Sequence, residues 1–464
     1  MAETARIEVT ARLAEWAVAT RLNDVPAPVR DQAKVAIADS LGTALAGLRQ
    51  PSVRLVREFV TGEMRPGEAT VLGCNLRLAP SAAAFINAAT AHALDYDSVS
   101  HSVSGFVATP LLFPLLALAE LRRLSGSQLL EAFIVGYEVE ASLGRGLGVA
   151  HYDGGWHSTA TLGHLGSAVA CAKLLGLDQR GMRRALGFSA TDASGVRSMV
   201  GNMTNIYHLG KAARCGVLAA LLVERGFTAH EAVLENDWGF CNAFNGPGQY
   251  DLARMVESIG KPWDLLDPGL GVKLYPCCAL IHSSLDGVLD LMREHHLQAA
   301  QVQRVRIALH RLAYKTMTMD LPLSSTAYES KFCMPFMIAV AATQGSVKLP
   351  HFSETYIRDP QIRDFMGRVE IKVHPELTGY ETFLEREFSD IALDLDNGRS
   401  VDRRVMRMAN RGSRDRPALA SELKQKFTDC AADYPNQAGA LRAYDMVSRI
   451  EQLADIRELT ACLQ

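Results

Sequence analysis

The feature that most constrains this chain is a change of period. From residue 1 to about 260 the apolar residues recur at helical spacing, broken at Gly, Pro and Ser clusters; from about residue 300, three segments alternate apolar and polar. They are VRIALH (305–310), VEIKVH (369–374) and IALDLDNGRSVDRRV (391–405), the last holding Asp396-Asn397-Gly398, a two-strand turn signal. Between them YESKFCMPFMIAVAATQG (328–345) reads as a helix. After about 415 helical spacing returns, and those helices most economically bury their apolar stripes on the first set. The expected fold class is mainly α: a large all-helical domain from residues 1–268 and 405–464, and a smaller α+β domain from 269–404.

Within the first part, LLFPLLALAELRRLSG (111–126) and SQLLEAFIVGYEVEASLGRGL (127–147) read as two helices, the first stopped by Ser125 and Gly126. TATLGHLGSAVACAKLLGLD (159–178) reads as a third. Its Gly163, Gly166, Ser167 and Ala170 fall three and four apart, so one face admits close helix approach and the helix is expected to be central.

A net charge of -3 over 464 residues gives no basic field, which argues against nucleic acid or an anionic membrane as the main partner and toward a small molecule. The N-terminal MAETARIEVTARLAEWAVATRL interleaves charges with apolar residues. It reads as an amphipathic helix, neither signal peptide nor membrane span, so a cytoplasmic location is expected. The nine cysteines are scattered, odd in number and without a CxxC pair, which suggests free thiols in a reducing compartment. Neither a metal nor a cofactor is expected.

Four stretches could carry chemistry. HALDYDSVSHSVSGFVATP, from residue 92, crowds carboxylates, imidazoles and hydroxyls between two apolar helices, where unpartnered polar groups cost several kcal/mol. Its Asp95, Asp97 and His101 could also chelate a divalent metal, although they match no defined motif. In AHYDGGWHSTATLG (150–163) a glycine pair is followed by His157, just ahead of a helix that Ser158 or Thr159 would cap, a place that suits a carboxylate ligand. In GVKLYPCCALIHSSLDGVLDL (271–291) Pro276 fits a first helical position, which would set Lys273 and Tyr275 at a helix mouth with His282 inside. In NMTNIYHLGKAARCG (202–216) His208 precedes a helix whose first turn would hold Lys211 and Arg214. Each alone is also what a packed histidine or a surface lysine looks like. Three cationic helix mouths together would suit a di- or tricarboxylate.

These residues resemble the MmgE/PrpD family, which includes 2-methylcitrate dehydratase, cis-aconitate decarboxylase and iminodisuccinate epimerase. The resemblance is carried, in family order, by HALDYDSVS (92–100), LLALAE (115–120), GYEVEASLGRGLG (136–148), GGWHSTATLG (154–163), LLGLD (174–178), HLGKAARCG (208–216) and KLYPCC (273–278). It implies a helical main domain built from both chain ends, a smaller α+β lid, a homodimer and a site between the domains. The family's active-site aspartate matches Asp95, its histidine before the central helix His157, and its lysine before YP Lys273. Three positions depart: Val99 stands where a threonine is usual, Gly105-Phe106-Val107 where Gly-His-Pro is common, and Thr204-Asn205 where Thr-Lys is usual.

The expected function is a lyase, dehydratase or decarboxylase, acting on a small di- or tricarboxylate by α-proton transfer. Lys273 and His157 would move protons and stabilise charge, and Asp95 would orient one of them. His101, Phe106, Tyr152, Asn205, His208 and Tyr275 are the expected substrate-binding residues, with His101 a candidate to replace the missing imidazole. Two alternatives stay open. One is an epimerase, which DYDSVS resembles; the other is a divergent or non-catalytic member whose Phe106 wall takes a bulkier, less charged ligand.

Overall fold

A computed structural model describes residues 7–63, 65–379 and 386–464. The chain divides into two compact units. The first holds the chain up to Ala93, Asp97–Gly271 and Ala420–Gln464; the second holds Leu94–Tyr96 and Val272–Leu419.

The first unit is a helical assembly. Its helices include α1 (Val9–Ala19), α2 (Ala27–Gly47), α3 (Pro51–Glu63), α4 (Pro80–Ala91), α5 (Ala108–Arg122), α6 (Gly126–Leu147), α7 (Val149–Asp153), α8 (Ser158–Leu174), α9 (Gln179–Asp192) and α10 (Thr204–Glu224). Every residue of α8 except Lys173 is buried, and α5, α6, α9 and α10 pack around it. The small residues explain the close approach. A Cβ on Gly163 would sit 3.3 Å from Pro110 of α5 and 3.4 Å from Ala212 of α10, and one on Gly136 of α6 would sit 2.6 Å from the Ala170 methyl. Lys173 carries its ammonium to the end of α1, where it donates to the carbonyls of Val18 and Thr20.

Helix α5 stops with Arg123 in the left-handed conformation, φ 55°. Ser125 belongs to the next helix: it is the N-cap of α6 and forms a capping box with Gln128. Gly126 is then the first residue of α6 rather than a stop, because a Cβ there would fall onto the Ile450 carbonyl. Helix α10 is long and apolar enough to cross a bilayer, yet 67% of its most apolar window is buried inside the protein, where it packs on α4 and α8.

Two short ribbons interrupt the helices. β1 (Pro66–Val71) and β2 (Leu76–Leu78) form an antiparallel hairpin, which Glu120 of α5 holds through the Thr70 amide at 2.7 Å and hydroxyl at 2.6 Å. β3 (Val99–Ser100) pairs with β4 (Leu270–Gly271), so the polar stretch read from residue 92 is anchored to backbone from far along the chain.

The second unit carries a four-stranded sheet in the order β6-β5-β7-β8, with β5 (Val302–Leu309), β6 (Val369–Val373), β7 (Phe388–Leu395) and β8 (Ser400–Met406). β5 and β6 are parallel and the other pairs antiparallel. Alternation sorts the faces of β7: Ile391, Leu393 and Leu395 are buried, while Asp390 and Asp394 pair with Arg404 and Arg306 at 2.7 and 2.9 Å. Helix His282–Glu294 packs on β7 and β8, where Gly287 leaves room for Ile391. The turn between β7 and β8 uses Gly398 at φ 80°. The boundary expected at 404/405 falls inside β8, and the unit keeps that strand whole and runs on to Leu419.

If close approach at α8 organises the helical unit, Gly136→Leu should cost about 1–3 kcal/mol by overpacking. Gly62→Ala, an exposed helical site with no atom within 4 Å of the added methyl, should leave stability unchanged or raise it slightly. Urea midpoints of the two variants check this.

Candidate active site

In the second unit lie two of the residues singled out from the sequence, Lys273 and Asp95. The chain lends Leu94–Tyr96 to this unit. Lys273 Nζ donates to the Asp95 carbonyl at 2.8 Å and to Asp95 Oδ1 at 2.9 Å. Lys273 is 1% exposed and Asp95 3%, so this is a buried ion pair. Asp95 adopts φ 50°, a left-handed conformation that short polar side chains tolerate and that functional sites often retain. Its Oδ2 is buried and has no hydrogen-bond partner, which leaves a carboxylate oxygen to meet a ligand.

Lys273 does not sit at a helix mouth, contrary to the reading of Pro276 as a first helical residue. The helix starts at His282, after a single 3-10 turn over Ala279–Ile281. The Pro276 carbonyl is taken by the buried Lys331 ammonium at 2.6 Å, and so does not open a helical ladder. Tyr275 is buried and donates its hydroxyl to Asp286 Oδ1, with its ring edge-on to His282. Burial, with Asp286 beside it, holds that phenol well above its ordinary pKa.

In the first unit the site is built around imidazoles. His157 is the N-cap of α8, a position expected for Ser158 or Thr159; its side chain makes no capping bond and turns instead to His208. The two Nδ1 atoms lie 3.0 Å apart, so one carries the hydrogen and the other accepts it. His208 was expected ahead of a helix, but α10 begins at Thr204, which places His208 in its second turn and Asn205 in its first. Of the three expected helix mouths, only that at His157 exists.

Four residues of the same unit that the sequence does not single out join these imidazoles. His92 is fully buried; its Nδ1 meets Asp97 Oδ1 at 2.9 Å and its Nε2 meets the Asn205 amide at 3.0 Å. With hydrogen on Nδ1 given to Asp97, Nε2 accepts from the Asn205 Nδ2 group. Thr109 donates to the other Asp97 oxygen at 2.7 Å. Arg197 enters because residues 195–197 pair with 155–157: His157 N donates to Gly195 O at 3.0 Å and Arg197 N to Gly155 O at 2.8 Å. Its guanidinium lies 4.3 Å over the ring of Tyr152. Asp39, paired with the buried Lys426, accepts from the Ser98 amide at 2.8 Å and so anchors the loop that carries Asp97.

The other expected residues also have places. Phe106 donates its amide to Thr159 Oγ1 at 2.8 Å and lays its ring edge-on to His92, centroids 4.4 Å apart. His101 is buried beside Gly271 of β4. The two carboxylates that could chelate a metal with it are committed otherwise, Asp95 to Lys273 and Asp97 to His92 and Thr109.

Burial sets the electrostatics. It lowers His157 well below the ordinary value, with His208, His92 and Arg197 acting the same way. His208 is lowered to about 4, by burial first and then by His92 and Lys211. His151 of α7, bonded to Asn245 and Thr161 at 2.7 Å each, is lowered to about 4 by burial. The pair is therefore neutral at physiological pH. A histidine whose folded pKa is depressed stabilises the fold fully above 6.5, and that stability is lost as pH falls from 6.5 toward 4, because the unfolded chain takes the proton first. The stability gap between the protein and its His151→Gln variant should thus shrink by about 2 kcal/mol between pH 7 and pH 5. Chemical denaturation at the two pH values measures it.

With the geometry in place, comparison with known proteins gives a consistent result. The MmgE/PrpD N-terminal domain matches residues 11–253 and the MmgE/PrpD C-terminal domain residues 275–452. A cis-aconitate decarboxylase of Aspergillus terreus is 28% identical over 482 residues, covering 99% of this chain and 96% of that protein. The cis-aconitate decarboxylase of Homo sapiens is 25% identical, covering 94% and 90%. A 2-methylcitrate dehydratase of Cupriavidus necator is 23% identical, covering 87% and 86%. The two domain matches span most of the sequence, and the chain belongs to the MmgE/PrpD family.

Proposed function

We propose that this protein is a lyase that decarboxylates or dehydrates a small di- or tricarboxylate through proton transfer at a carbon next to a carboxylate. The observation that carries the proposal is the buried Lys273 ammonium held on Asp95. Burying such a pair is expensive, and a hydrophobic pair of like volume would be as stable or more so. Its presence beside a carboxylate oxygen without a hydrogen-bond partner fits a chemical role. The names of the relatives, decarboxylases and dehydratases alike, support the same class.

The roles follow from the reaction. In decarboxylation the electron pair of the breaking C–C bond stays on carbon as carbon dioxide leaves, and an acid then protonates that carbon. In dehydration a base removes the α-proton and an acid protonates the departing hydroxyl. Both pass through negative charge on a carboxylate-stabilised carbanion, which a cation in a dry site stabilises strongly. Lys273 supplies that cation and a proton, with Asp95 fixing its direction. His157, neutral and hydrogen-bonded to His208, supplies the group that accepts or returns a proton. Arg197, rather than a lysine at position 205, holds a substrate carboxylate, and Phe106 over His92 narrows the polar wall. The proposal includes a homodimer in the cytoplasm, and light scattering would read twice the chain mass of 50.5 kDa.

Incubation in D₂O with citrate, 2-methylcitrate, cis-aconitate and iminodisuccinate, followed by proton NMR, tests the reaction class. Carbon dioxide loss or a new alkene by loss of water is expected; deuterium wash-in alone would make the protein an epimerase, and silence across the panel would defeat the proposal. On the active substrate, Lys273→Ala and His157→Ala should each lower kcat by about 10²–10⁴. Arg197→Ala should act mainly through KM, raising it roughly tenfold or more, since the loss of one charged hydrogen-bond partner removes about 1.5–3 kcal/mol. If both catalytic variants keep full activity, the assignment of Lys273 and His157 is wrong.

A further inference from the structure

Away from these groups, His164 of α8, Asp192 at the end of α9 and Cys215 of α10 converge. Each offers a ligand atom, and those atoms lie within 4.8 Å of one another; among the described residues no other such trio of His, Cys, Asp or Glu is found. We propose that the three form a binding site for one borderline-soft divalent cation, zinc above all, which ties α8, α9 and α10 together.

The second observation is the state of His164. It is fully buried; the Ala160 carbonyl one turn back faces the ring, and Nε2 has no hydrogen-bond partner. An unmet polar atom in the interior is costly, so the open Nε2 calls for a partner. Here Nε2 faces Asp192 Oδ2 across 3.7 Å, too long for a hydrogen bond and a separation that two ligands of one ion can take. Zinc bonds of about 2.0–2.3 Å to nitrogen, oxygen and sulfur place neighbouring ligands of a tetrahedron roughly 3.3–3.7 Å apart, so the trio needs only a modest contraction. An imidazole and a thiol among the donors disfavour magnesium and calcium, which prefer all-oxygen shells. Three protein ligands leave a fourth position for water.

Access and competition are both visible. The Asp192 side chain is 40% exposed and opens the trio to solvent, although Cys215 and His164 are buried. The Lys211 ammonium is the competing charge. It is tethered to the Asp192 carbonyl at 2.8 Å and to Ser194 Oγ at 2.5 Å, and stands 4.0 Å from the Asp192 carboxylate. It borders the site at Asp192, and its charge also acts on His164 and Cys215.

Cobalt(II) is the probe. The full-length protein, stripped with chelator and titrated with Co²⁺, should bind one equivalent with a sulfur-to-cobalt charge-transfer band and visible ligand-field bands of tetrahedral type, both displaced by Zn²⁺. Cys215→Ser should abolish the charge-transfer band, and Cys171→Ser, a neighbouring buried thiol, should keep it. Asp192→Asn, a half-exposed position that the fold tolerates, should lower Co²⁺ affinity by more than about tenfold. The proposal is overturned if the wild-type protein gives no charge-transfer band with one equivalent of Co²⁺, or if the band survives Cys215→Ser.

Discussion

The burial of α8 along its whole length is the constraint on which the helical unit depends. Because α5, α6, α9 and α10 all press on it, its position is fixed from every side, and small residues set how near each neighbour comes. His157 sits at the start of this helix, and His208 reaches it from α10, one of the neighbours that packs closely. The imidazole pair is thus positioned by the core itself. The pairing of residues 195–197 with 155–157 holds the His157 backbone as well.

The same burial sets the charge states. Imidazoles withdrawn from water lose their affinity for protons, and carboxyls withdrawn from water gain it. His157 and His208 move down, while Asp264 is pushed up to about 7 by burial and by Glu138, with Arg145 opposing. Glu140, buried against Gly166 without a hydrogen-bond partner, is held well above the ordinary carboxyl range by burial. Lys273 and Asp95 answer the problem differently, by pairing.

The sequence carried the architecture well and the local geometry of the site unevenly. Period and turn residues were enough for a helical unit formed by both chain ends and a small sheet, because those patterns act within a few residues. His157 was legible for the same reason: a glycine pair and a polar residue precede a strongly apolar helix. Lys273 stands out in the sequence, but its setting does not, since the carbonyl of Pro276 is claimed by Lys331, 55 residues away. The His208 turn was misplaced because α10 starts from Met203 at its N-cap with no side-chain cap bond, although Asn202, Thr204 and Asn205 nearby are of the capping type. Arg197 had no signal at all; only the pairing of residues 195–197 with 155–157 brings it beside Tyr152. His92 had one, five residues ahead of Asp97, but a histidine at a helix end among alanines reads as packing.

The central claim is that burial keeps the His157 and His208 imidazoles neutral, so that a single hydrogen is held between their Nδ1 atoms in the resting protein. Histidine-selective ¹⁵N labelling, with the two residues assigned through His157→Gln and His208→Gln, measures this by NMR across a pH titration. The account predicts neutral tautomer shifts for both residues down to pH about 5, with complementary Nδ1 protonation. Titration of either imidazole near the ordinary value of 6.5 would contradict it.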